Sequence, residues 1–162
     1  MRDPLALAKA LALLVPGALL AGAYGSEIWG GLYPCEMCWW QRYAHMAGLA
    51  FAIVAILAGR MPDRGRSFVW LAGLAIAASG AIGFYHAGVE LDYFEGFTQC
   101  TSALGGGSAE ELLKHAFDAP LIRCDEVQWS LFGISMAGWN AILSLGSALV
   151  ILWLSVRKPR TP

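Results

Sequence analysis

Four long apolar stretches constrain this chain more than anything else in it: Leu5 to Tyr24, Tyr43 to Gly59, Phe68 to Tyr85, and Phe132 to Leu154. A hydrocarbon core is crossed by about 20 mostly apolar residues, and each stretch approaches or exceeds that length. Inside lipid the backbone has no water to bond, so each stretch is expected to be a helix. The composition agrees: of 162 residues, 57% are hydrophobic and only 14% are charged, too apolar for an ordinary soluble domain. The expected fold is an all-α membrane protein. It forms a four-transmembrane-helix bundle in a single integral membrane domain over residues 1–162, with two outer loops at about 25–42 and 88–130.

Charge orients the spans, because positively charged flanks stay on the cytoplasmic side. Arg2 and Lys9 sit at the start, Arg60, Arg64 and Arg66 between the second and third spans, and Arg157, Lys158 and Arg160 after the fourth. Eight of the eleven basic residues therefore share one side, and ten of the twelve acids fall in the other two connections. Both termini are expected in the cytoplasm and both long loops outside. The eight bases read as topology signals and leave no basic surface broad enough for nucleic acid. A cleavable leader is the alternative for the first span, given the small residues Ala21-Gly22-Ala23. The apolar run is long for such a leader, and Leu5, Leu7 and Ala8 extend it past Lys9, which can snorkel.

Pro34 stands just ahead of Cys35-Glu36-Met37-Cys38, and proline belongs in or just before the first turn of a helix. This C-x-x-C is therefore expected at the head of the second helix, near the outer interface. Trp29, Tyr33, Trp39 and Trp40 surround it as an interfacial aromatic belt. In the third span Gly73, Gly80, Gly83 and Ser79 permit close helix approach. The second outer loop is too long for a simple turn. It carries Cys100 and Cys124, with the flexible joint Gly105-Gly106-Gly107 between them. Ser108 and Glu111 form a capping box for a short helix, whose Leu112, Leu113, Ala116 and Phe117 share one face. That helix is expected to lie horizontally on the membrane surface until Pro120 ends it.

All four cysteines fall in segments assigned to the outside, where thiols are expected to pair. Three connectivities are possible. Cys35 with Cys38 and Cys100 with Cys124 is the expectation, since the first two are local and the others share a loop. Closing the Cys100–Cys124 loop is worth roughly 3 kcal/mol, so that pair can serve as a staple. A C-x-x-C bridge closes almost no chain. Its value is redox reactivity, because a helix N-terminus stabilises a thiolate. Structural zinc sites bring two closely spaced pairs and here only one is close, so no metal site is expected. A c-type haem needs histidine where Trp39 stands, and a thioredoxin-like domain needs a βαβ pattern the chain lacks.

Arg42 lies four residues after Cys38, on the same helix face, and helical side chains lean toward the N-terminus. A guanidinium there favours a thiolate and can anchor a carbonyl of a bound acceptor. In an apolar span it must snorkel or find a partner. His86 ends the third span on the same side, followed by Glu90. His45, a turn below Arg42, and His115, in the surface helix, are weaker candidates.

This arrangement resembles the disulfide bond formation protein B (DsbB) family of bacterial inner membranes. The resemblance rests on four spans, Cys35-Glu-Met-Cys38-Trp-Trp-Gln-Arg42, His86 at the end of the third span, Cys100 in the long loop, and Cys124-Asp-Glu-Val-Gln-Trp129 leading into the fourth span. It implies a multi-pass protein of the bacterial inner membrane with periplasmic cysteines and an electron relay. A reduced periplasmic thioredoxin-fold partner (DsbA-like) attacks Cys100, Cys124 then attacks Cys35, and Cys38 is released beside a quinone, ubiquinone or menaquinone. Arg42 and His86 are the implied quinone-binding residues. A vitamin K epoxide reductase-like protein also couples a membrane C-x-x-C to a quinoid ring, but its loop cysteines precede that motif, whereas here they follow it. A disulfide-stapled membrane scaffold without turnover is the non-catalytic alternative.

Overall fold

The computed structural model describes residues 3–96 and 123–157. Four long helices account for most of it: α1 (Pro4–Gly30), α2 (Glu36–Leu57), α3 (Arg66–Glu90) and α4 (Met136–Val156). All four are long and apolar enough to cross a membrane. The expected all-α bundle is therefore present. Cys100 and the surface helix expected after Ser108 lie outside the described residues.

Each helix starts where local chemistry permits it. Asp3 accepts from the Leu5 N–H with Pro4 in the first turn, so α1 begins with a capped, pre-shaped end. α1 runs six residues past Tyr24 and stops at Gly31, whose φ of +66° only glycine adopts without cost. Cys35 caps α2, its sulfur accepting from the Cys38 N–H. Asp63 anchors α3 by accepting from the N–H groups of Gly65 and Ser67 and from the Ser67 hydroxyl. These bonds, the Ser67 side chain foremost, hold the Asp63 carboxyl down to about 2.

The fourth span departs from the sequence expectation. α4 starts at Met136, not Phe132, because Phe132 and Gly133 take successive left-handed conformations (φ 53° and 77°). This suits a two-residue hairpin turn. The turn joins β1 (Ser130–Leu131) to β2 (Ile134–Ser135), antiparallel, with Ser130 opposite Ser135. Ser135 then caps α4, and Trp139 Nε1 donates to the Leu131 carbonyl, tying the hairpin to the helix.

α3 packs against α2 and α4, and α1 closes the ring by touching the same two neighbours. The interior is rich in small residues with a few polar ones and some larger apolar ones, while many large apolar side chains, such as Leu14, Leu57, Leu74, Phe84 and Leu149, point outward. That inversion is expected where the solvent is lipid and helices are joined by close packing and hydrogen bonds. An apolar cluster including Leu5, Ala8, Val69, Ile76 and Ile151 fills one part of the bundle. A second cluster of Cys35, Met37, Val89 and Cys124 forms separately. The end carrying the α2–α3 turn is fastened by an Asp3–Arg64 ion pair.

That turn yields a sharp prediction. Gly65 sits at φ +78°, and a Cβ there would lie 2.3 Å from the Ala55 carbonyl oxygen. The left-handed backbone alone costs another residue about 1–2 kcal/mol. Gly65→Ala is therefore expected to lower stability in micelles by at least ~2 kcal/mol with the contact included. An unchanged denaturation midpoint would contradict this account of the turn.

Candidate functional site

Capping is what places the first cysteine. With Cys35 as the N-cap, its sulfur turns back over the first turn of α2, 3.3 Å from the Cys38 N–H. The Cys35 thiol donates toward the Cys38 sulfur, 3.1 Å away. Cys124 arrives from a distant part of the chain. Gln128 Nε2 donates to the Tyr33 carbonyl at 3.0 Å, pinning the segment after Cys124 to the α1–α2 connection. Ion pairing with Arg123 holds the Asp125 carboxyl below its ordinary range.

The sulfurs of Cys35 and Cys124 and a ring nitrogen of His86 all lie within 4.8 Å of one another, and all three residues are buried. Bonds to the sulfurs of Cys124 and Cys38, together with burial, push the Cys35 thiol far above the ordinary thiol range. Cys35 is the middle member of a three-sulfur group. Among the described residues this is the one grouping compact enough to hold an ion, but closed zinc sites take four ligands.

His86 stands beside the sulfurs from α3, with Nε2 3.7 Å from Cys35 Sγ and 3.8 Å from Glu90 Oε1 one turn later. Glu90 Oε2 is buried with no hydrogen-bond partner. Because α3 continues to Glu90, both residues are held on a helix and not in a loop.

Arg42 is 5% exposed and has found the partner an intramembrane arginine requires. Its Nη1 donates to Glu27 Oε2 at 2.5 Å and its Nη2 to the Ala23 carbonyl at 3.0 Å. Its guanidinium also lies over the rings of Tyr24 and Trp39, at 4.6 and 5.0 Å. Glu27 is available because α1 extends past residue 24.

A cavity of about 600 Å³ reaches Cys35, Cys38, Arg42 and His86, within the roughly 300–1,000 Å³ of small-molecule sites. Cys35, Cys38, Arg42, His86 and Glu90 line its polar side, and Ala18, Leu19, Leu20 and Gly22 of α1 form an apolar wall. The structure thus brings Cys35, Cys38, Cys124 and His86 together, with Arg42 on the same cavity. Sequence reasoning passed over Gln41 and Asn140, both at the site and hydrogen-bonded to each other. The available signal was a polar amide inside an apolar span, which is costly in lipid and marks a partner.

Four membrane-spanning helices enclosing a buried thiol cluster define a multi-pass membrane protein with redox-capable chemistry at one site. Residues 6–154 match the family model described as Disulfide bond formation protein DsbB, and the chain belongs to that family. Curated relatives called Disulfide bond formation protein B agree. The chain is 29% identical to that of Marinobacter nauticus, covering 90% of this chain and 88% of the relative. It is 29% identical to that of an Azoarcus species (85% and 84%), and 27% identical to that of Stutzerimonas stutzeri (91% and 93%). No solved structure matches. The protein is accordingly a membrane oxidoreductase of disulfide bond formation.

Proposed function

We propose that this protein reoxidises a periplasmic thioredoxin-fold dithiol oxidase (DsbA-like) and passes the electrons through Cys100/Cys124 and Cys35/Cys38 to a membrane quinone. It works in the bacterial inner membrane, with both termini cytoplasmic and the cysteines periplasmic, in keeping with the basic flanks described above. The observation that carries the reading is the position of Cys35. Its sulfur stands 3.1 Å from Cys38 and within 4.8 Å of Cys124, so one sulfur can change partners with little movement of α2 or of the segment that carries Cys124.

The relay follows thiol–disulfide exchange. A thiolate of the partner attacks Cys100, the Cys100–Cys124 bond breaks, and Cys124 leaves as thiolate. The partner's second thiolate then displaces Cys100, completing the partner's disulfide. Cys124 attacks Cys35, breaking the Cys35–Cys38 bond and releasing Cys38 as thiolate. Cys100 attacks Cys124 in the resulting bridge, which restores the loop disulfide and leaves Cys35 and Cys38 reduced. Two electrons and two protons have then reached the inner pair.

The cavity fits a quinone, since it offers an apolar wall for a lipid-soluble ring and donors on Arg42 and His86 for its carbonyl oxygens. A bound quinone supplies the two-electron sink that returns the Cys35–Cys38 dithiol to a disulfide. Ubiquinone and menaquinone both meet this description. Arg42 is held in place by Glu27 and Ala23, so it presents its charge without first having to order a flexible side chain.

The test is capture of the donor. Cys124→Ser leaves Cys100 as a thiol with no loop partner; it attacks the oxidised partner's disulfide, and one partner cysteine leaves as thiolate. No Cys124 is present to resolve the mixed bond, so cells carrying the variant are expected to accumulate a reductant-sensitive complex through Cys100 to a thioredoxin-fold protein. Cys100→Ser should abolish that complex. A folded Cys124→Ser protein that captures nothing would overturn the donor assignment.

A further inference from the structure

Two amides and two histidines in apolar spans form a continuous hydrogen-bonded chain leading away from the sulfurs. Gln41 Nε2 donates to the Met37 carbonyl at 3.1 Å and lies 3.0 Å from His86 Nδ1. Gln41 Oε1 accepts from Asn140 Nδ2 at 2.7 Å. Asn140 Nδ2 also reaches the carbonyl and hydroxyl oxygens of Ser79, both at 3.2 Å. Asn140 Oδ1 accepts from the Ser144 hydroxyl at 2.8 Å and lies 2.9 Å from His45 Nε2.

The polarity of this chain is decided by two backbone carbonyls. A carbonyl oxygen can only accept, so the group facing Met37 O must be the NH₂ of Gln41, and the group facing Ser79 O must be the NH₂ of Asn140. The Ser79 hydroxyl donates to the Gln41 carbonyl at 3.1 Å, leaving its oxygen to accept from Asn140. Both hydrogens of each amide are therefore committed. Turning Gln41 over would set Oε1 against the Met37 carbonyl and NH₂ against NH₂ of Asn140, with both clashes buried. What remains to His86 Nδ1 is the role of acceptor, which puts the proton of the neutral ring on Nε2. The same logic puts the proton of His45 on Nε2, and its Nδ1 is buried without a partner.

We infer that Gln41 and Asn140 are positioning residues that hold His86 as the neutral Nε2–H tautomer, making it a fixed hydrogen-bond donor to the cysteine sulfurs and not their base. The inference deepens the thiol relay proposed above and rests on that reading for its chemical consequence. The basic lone pair of His86 is at Nδ1, covered by the Gln41 amide. Its Nε2–H faces the sulfurs, and there it stabilises a thiolate as that thiolate forms. The titratable groups facing the ring are Cys35 and Cys38 from α2, Glu90 from its own helix, and Cys124 from the segment before β1. A proton leaving a thiol must pass to one of these or to a bound acceptor. Glu90, with Oε2 unpartnered, is the carboxylate among them.

The test reads ring protonation directly, in [¹⁵N]histidine-labelled protein with reduced cysteines in micelles at neutral pH. Two-bond ¹⁵N–¹H correlations distinguish the tautomers, and His86→Gln identifies the His86 signals. The wild-type protein is expected to show Nδ1 unprotonated and Nε2 protonated. In Gln41→Glu, which keeps shape but replaces the NH₂ donor by an acceptor, Nδ1 is expected to carry a proton. A wild-type His86 with its proton on Nδ1, or with both nitrogens protonated, would overturn the inference. So would a folded Gln41→Glu protein with the wild-type pattern; if that variant does not fold, the wild-type spectrum decides alone. Quinone reduction by the wild-type protein is measured separately. Its failure would sink the proposed function and leave the tautomer result standing.

Discussion

Cys38→Ser is expected to abolish quinone-dependent oxidation of a thioredoxin-fold dithiol, and Cys35→Ser and the double variant should do no worse. Groups that act as one unit lose their joint effect when any member is removed, so each loss should exceed ~10³-fold and the losses should not multiply. Stability should hardly change in any of the three. A C-x-x-C bridge closes almost no chain, and serine is itself a favoured N-cap, so Cys35→Ser leaves α2 with a group that can accept from the Cys38 N–H. The measurements are stopped-flow absorbance of a soluble quinone analogue and a denaturation midpoint for each variant. Losses that multiply in the double variant would mean that the two sulfurs act independently, contrary to a shared disulfide.

The second large effect is expected at the contact between α3 and α4. A Cβ on Gly83 would lie 2.9 Å from Asn140 Nδ2, 3.0 Å from the Ala137 carbonyl oxygen and 3.2 Å from the Ala141 nitrogen. On Gly80 it would lie 2.8 Å from Leu145 Cγ and 3.0 Å from the Leu145 nitrogen. Backbone atoms cannot swing aside as a side-chain tip can, so α4 must move. Overpacking of this kind typically costs about 1–3 kcal/mol, and Gly83→Ala should lie at the upper end because it also displaces Asn140. Gly146→Ala is the control: nothing lies within 4 Å of its added Cβ, and alanine is about 1 kcal/mol better than glycine inside a helix. Stability in a denaturing-detergent titration should fall for Gly83→Ala and hold or rise for Gly146→Ala. Equal midpoints would mean that the interface is looser than these distances state.

Much of the fold was legible because its causes are local. The spans are apolar runs of sufficient length, and the start of α2 is marked by Pro34. That Arg42 must snorkel or find a partner was also legible, since an unpaired arginine in lipid is costly. Its partner was not. Glu27 reads as one more acid of the outer loop until α1 is seen to continue past Tyr24. The start of α4 was misplaced for a similar reason. Phe132 belongs to the apolar run by composition, yet it turns a hairpin whose left-handed backbone stops the helix from beginning there.

Sequence alone therefore determined what lipid and local backbone chemistry dictate: four helices, their apolar surfaces, and a C-x-x-C pair at the head of the second. Only the tertiary structure decided which distant groups meet. Cys124 joins Cys35, His86 faces the sulfurs from another helix, and Asn140 reaches Gln41 and His45 through the interior. The reason is physical. Helix formation in lipid is driven by backbone bonds within each segment, whereas lateral packing depends on where small residues let neighbouring backbones approach and on which buried polar groups can satisfy one another.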